Sequence, residues 1–173
     1  FQPLFHVRRG GKITILPVAL NESEYQFVTD LKSWCDGHKA ALEKEGMELF
    51  LLRNMSRGKG VGFFEAGNFH PDFILWMLIG GKQYVTFIEP HGLLHEGPAS
   101  EKVLFHKRIK DVEQRLKDPT VILNSFILSW TRYPQLKWDN TQDELEDMHV
   151  LFMTNDRDRY IDKLFARLRG MVK

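Results

Sequence analysis

Apolar residues along this chain follow two spacings, one that stripes a helix and one that fills a strand. Tyr25, Phe27, Val28, Leu31, Trp34 and Cys35 recur every three or four positions behind Asn21-Glu22-Ser23-Glu24, an N-cap followed by acid in the first turn. The pattern predicts a helix from about residue 22 to 36, which residues 38–45 extend or follow with another. Three strand-like runs come next: residues 47–53, the apolar stretch opening at Asp72-Phe73-Ile74-Leu75, and Val85 to Glu89 beyond Gly80-Gly81. Residues 99–116 carry Val103, Leu104, Ile109, Val112 and Leu116 at helical spacing and stop at Asp118-Pro119. A strand over 121–130 follows, then a polar acidic stretch around 139–147, a short strand over 149–153 and a last helix over 156–169. Residues 12–20 read as a further strand, which Pro17 confines to an edge or an irregular stretch. The central order of helix, three strands, helix, strand predicts an α/β sandwich with a mixed sheet flanked by helices.

Composition narrows the class. With 173 residues and 43 % of them hydrophobic, the chain can bury one core and reads as a single domain. Its formal net charge of +1 creates no overall field for nucleic acid, so a DNA-binding surface has to be a local patch. Cys35 is the single cysteine, which excludes an internal disulfide or a multi-cysteine zinc site and suits a buried structural thiol in a reducing compartment. No run is apolar enough to span a bilayer, and the first residues lack the order of a signal peptide. A soluble, cytoplasmic protein is expected. The opening at Phe1, just before strand-like residues 4–7, predicts a piece of a longer polypeptide.

Candidate chemistry concentrates in two short stretches. Asn68-Phe-His-Pro-Asp-Phe-Ile-Leu75 puts Asp72 at the head of a strand, and Val85-Thr-Phe-Ile-Glu-Pro-His-Gly92 puts Glu89 near the end of the next. A hairpin through Gly80-Gly81 brings those ends together, where two carboxylates can share a divalent cation. Arg57 and Lys59, among Gly58, Gly60 and Gly62, can approach a phosphate backbone or belong to a plain turn; the P-loop spacing is missing. Lys102, Lys107, Arg108 and Lys110 decorate the second predicted helix as a solvated face or a DNA contact. His91 and His95 lack the helical frame of a zinc pair. Trp76, Trp130, Tyr133 and Trp138 read as core or tail packing.

The two stretches resemble the PD-(D/E)xK nuclease superfamily. More narrowly, Phe69-His-Pro-Asp-Phe-Ile-Leu75 and Phe87-Ile-Glu-Pro-His-Gly92 look like the nuclease domain at the C-terminal end of DEAD/DEAH-type helicases and type III restriction enzyme motor subunits. The resemblance covers about residues 22–130 and leaves 131–173 as a C-terminal extension. It implies a restriction-endonuclease-like αβββαβ core and an endonuclease cutting DNA with Mg²⁺, or Mn²⁺ in its place. Asp72, Glu89 and the backbone carbonyl of Pro90 or His91 would hold the metal. A glutamate from the first helix joins the site in many members; Glu24 is the choice here, with Glu22 behind it and Glu65 as a rival from the hairpin. Implied partners are DNA, a helicase or translocase in the same polypeptide, and a modification methyltransferase subunit. The chain departs from the motif at one letter: His91 stands where the family has lysine. His91 can act as a base or, if nearby carboxylates raise its pKa, as a charge stabiliser. Lys102 or Lys107 can instead supply the missing cation. The alternative function is a catalytically silent nuclease fold that binds DNA or docks on the motor.

Overall fold

The computed structural model describes residues 19–54, 60–63, 69–157 and 159–170. Asn21 starts the first helix, α1 (Glu22–Lys44), with a reciprocal cap: its side chain accepts from the Glu24 amide at 2.9 Å while the Glu24 carboxylate accepts from the Asn21 amide at 3.1 Å. The helix runs unbroken through Gly37, so residues 38–44 extend it. It ends where Gly46 adopts a positive φ of 62°.

Three antiparallel strands follow, β1 (Glu48–Arg53), β2 (Phe73–Ile79) and β3 (Lys82–His91). Gly80 and Gly81 turn β2 into β3 with φ of 57° and 74°, the doubly positive geometry that suits a two-residue hairpin. Helix α2 (Glu101–Leu116) then carries the chain over the sheet so that β4 (Val121–Ser129) lies parallel to β3. A 3-10 turn (Tyr133–Gln135), a short helix α3 (Gln142–Asp147), strand β5 (Val150–Phe152) parallel to β4, and helix α4 (Tyr160–Gly170) complete the chain. The sheet is five-stranded and mixed, in the order β1-β2-β3-β4-β5. This is the expected α/β class, with the elements up to β4 in the predicted order.

Strand alternation separates two layers of core. Phe73, Leu75, Met77, Ile88, Phe126 and Leu128 face α1 and α4, where they meet Phe27, Leu31, Leu164 and Phe165. Ile74, Phe87 and Leu123 face the other way, onto Phe105 and Ile109 of α2. A third cluster joins Leu93, Val103 and Ile127 to Leu145 and Phe152, so the polar acidic stretch contains a helix that buries Leu145. Its Thr141 and Glu144 form a capping box, the local signal in an otherwise polar run.

Two packing expectations need correction. Trp76, in the middle of β2 opposite exposed Phe50, and Trp130, one residue past the end of β4, are both exposed, whereas Tyr133 and Trp138 pack against the third cluster. Cys35 is half-buried rather than buried, and burial pushes its thiol pKa up. The predicted N-terminal strand lies outside the described residues up to position 18.

Candidate functional site

The hairpin register sets the first pair. Ile79 faces Lys82 at the turn, and seven residues further along each strand Asp72 and Glu89 stand opposite one another. The Asp72 amide donates to Glu89 Oε2 at 3.2 Å. Both side chains continue the alternation of Ile74 and Phe87 and so emerge on the α2 side of the sheet.

Two helices point their first turns at this pair. From α2 comes Lys102, whose Nζ lies 3.2 Å from Glu89 Oε1 and 3.9 Å from Glu96 Oε1. From α1 comes Glu24, buried, with its Oε2 also 3.1 Å from Arg53 Nη2 at the end of β1. Its neighbour Ser23 donates to the Pro90 carbonyl at 3.0 Å, which locks the start of α1 to the end of β3. Acidic residues from α1, the head of β2 and the end of β3 thus converge, and Arg53 and Lys102 face them.

The electrostatics reflect this crowding. Burial first, then the negative charges of Glu89 and Glu24, push the Asp72 pKa up to about 8. Burial likewise raises Glu89, against the pull of the Lys102 ammonium and its hydrogen bond. His91 behaves opposite to expectation: burial and the Lys102 charge lower its pKa, and Glu96, 3.9 Å from Nε2, only partly opposes them. The imidazole is therefore neutral at pH 7.

The donor set suits a hard divalent cation, because it offers carboxylate oxygens and a strand carbonyl and carries a surplus of acid that such an ion relieves. Among the described residues no group of three His, Cys, Asp or Glu side chains already stands as a metal cage. On Glu89 the position is taken by Lys102.

Of the residues singled out from the sequence, Asp72, Glu89, Glu24 and the Pro90 carbonyl come together, with His91 two residues along the same face of β3 as Glu89. Glu22 is exposed. Lys102 turns inward onto carboxylates rather than outward as a free DNA contact, while Lys107, five residues along α2, projects from another side of the helix and is exposed. Arg57, Lys59 and Glu65 lie outside the described residues. At Gly62, in the described part of that glycine-rich stretch, a Cβ would overlap the His70 ring.

Sequence reasoning missed Arg53 and Glu96. Arg53 looks like an ordinary strand terminus, and Glu96 lies in the loop before α2, where no periodicity applies. Its amide donates to Leu93 O at 3.2 Å and its carbonyl accepts from Trp138 Nε1 at 3.1 Å, so the C-terminal extension holds it in place. One signal was available for Lys102: a cation in the first turn of a helix opposes the helix dipole and needs local acid to hold it.

No protein-family model, curated protein or solved structure matches this chain. The class defined by fold and site is therefore an α/β protein with a buried carboxylate cluster at the carboxyl end of β3.

Proposed function

We propose that the chain is a metal-dependent nuclease domain that hydrolyses phosphodiester bonds in DNA, carried by a helicase or translocase of restriction or DNA-processing type, with a methyltransferase subunit as a further partner. The observation that carries the reading is the cross-strand apposition of Asp72 and Glu89 beside Glu24, with Lys102 on Glu89. A purely structural site gains nothing from an acid that burial and two neighbouring carboxylates together hold at a pKa of about 8. The resemblance of the two motifs supplies the substrate class; the convergence of their acids supports it independently.

Asp72 and Glu89, with the Pro90 carbonyl, would hold Mg²⁺ or Mn²⁺. When bound, the ion supplies charge neutralisation for the scissile phosphate and a more acidic water. Lys102 provides a positive charge beside the acids, suited to a phosphate oxygen as negative charge grows on it. His91, neutral at pH 7, is able to accept a proton from an incoming water, the role suited to an imidazole in the motif position of lysine. Glu24 is held by Arg53 and by its own helix cap, so it fixes the start of α1 against the acids and adds to their field.

The test is cleavage of supercoiled plasmid and of single-stranded DNA by the purified chain with Mg²⁺ or Mn²⁺. The expected result is metal-dependent cutting that Asp72→Ala and Glu89→Ala abolish and Lys102→Met lowers by about a hundredfold, the size of a lost charge-stabilising donor. Cutting that appears only in His91→Lys identifies a silent nuclease fold, the alternative reading. Undiminished cutting by both alanine variants rejects the site.

A further inference from the structure

Each carboxylate oxygen of Glu89 already has a donor: the Asp72 backbone amide on Oε2 and the Lys102 ammonium on Oε1. These two differ in a way that matters. The amide belongs to the sheet and carries no charge to repel a cation. The ammonium carries full charge at the end of a long, partly exposed side chain with several rotatable bonds.

A second acceptor waits for it. Glu96 Oε1 lies 3.9 Å from the same Nζ, close enough for the ammonium to transfer by side-chain rotation alone. Glu96 itself is held at its backbone by Leu93 and Trp138, so its carboxylate stays within reach of the ammonium. It also lies 3.9 Å from His91 Nε2, which places it at the end of β3 beside the acids without being one of the opposed pair.

We propose that Lys102 is a resident counter-ion that a divalent cation displaces from Glu89, and that Glu96 is the acceptor that receives the displaced ammonium. This rests on the reading of Asp72 and Glu89 as holders of a divalent cation. Lys102 keeps the acids neutralised without metal and competes with it; Glu96 is a positioning residue that lowers the cost of the exchange. The displaced ammonium stays within the site, where a phosphate group meets it.

The test is Mn²⁺ affinity of the chain, measured by electron paramagnetic resonance of free Mn²⁺, with circular dichroism melts confirming that each variant is folded. Lys102→Met, with Lys102→Gln as its polar counterpart, is expected to bind Mn²⁺ about tenfold more tightly, and Glu96→Gln several-fold more weakly, within the usual range of coupled sites. In the Lys102→Met background, Glu96→Gln should lose most of its effect, because no ammonium remains to be received. Mn²⁺ binding that Asp72→Asn removes but both Lys102 variants leave unchanged or weaken overturns the exchange while sparing the metal site. An undiminished Glu96→Gln effect in the Lys102→Met background overturns the role of Glu96, since it then acts only as a distant charge. Absence of Mn²⁺ binding from every variant overturns the metal reading and the exchange together.

Discussion

Asp72 shows how much a single position reveals and conceals. Its place at the head of a strand and its partner Glu89 follow from the motif and from two glycines, since the turn Gly80-Gly81 dictates which residues oppose each other. The crowding that makes the pair informative depends on Glu24 arriving from a helix some fifty residues earlier, which no local pattern encodes. Burial of an ionisable carboxyl beside other acids costs stability, so Asp72→Asn should raise the melting temperature in chelator by about 2–4 °C. Saturating Mg²⁺ should stabilise the parent chain and leave the variant unmoved in the same calorimetric scan. Arg53 tests the opposite sign. Removing it leaves Glu24 buried beside other acids, and Arg53→Met should cost about 2–3 kcal/mol in urea unfolding, below the full cost of a deeply buried pair because the guanidinium is partly exposed.

At the scale of elements, helix caps and hairpin turns were legible because they are chemical rules acting over three or four residues. Asn21 to Glu24 reads as a helix start from sequence, and the structure adds that the same Glu24 carboxylate serves cap and cluster together. Asn21→Ala should therefore have two effects: about 1 kcal/mol of lost stability, the usual cost of a cap, and a drop in the proposed DNA cleavage larger than that cost implies. Urea unfolding and plasmid cleavage on one preparation separate them. Helix α3 had the same kind of start signal, Thr141 to Glu144, but only one apolar anchor, Leu145, in a polar run. The position of Glu96 was not legible, because it depends on the C-terminal extension packing back on the sheet through Trp138. Pairings of that range leave no periodic trace.

At the scale of the whole molecule, β5 is tied to the sheet through His149, which takes a positive φ of 61°, stacks on Phe126 at 4.3 Å and has Nδ1 2.9 Å from the Ser125 carbonyl. That carbonyl only accepts, so Nδ1 carries the proton. Burial, with His106, Arg167 and Lys110 nearby, lowers its pKa to about 4. The unfolded chain takes up a proton near pH 6.5 that the folded chain refuses until about pH 4, so this contribution is full above 6.5 and is lost as pH falls through that window. The loss should total about 3 kcal/mol. His149→Asn, which tolerates the same backbone, should flatten the acid limb of stability against pH relative to the parent chain, as read by urea midpoints from pH 7 to 4.

The proposed divalent cation between Asp72 and Glu89 is tested most directly by an anomalous difference map from a crystal of this chain grown with Mn²⁺. One strong peak is expected between the Asp72 and Glu89 carboxylates, with Lys102 moved from Glu89 toward Glu96. A fully ordered cluster with no peak there, Lys102 still bound to Glu89 and Mn²⁺ bound elsewhere or absent would contradict it.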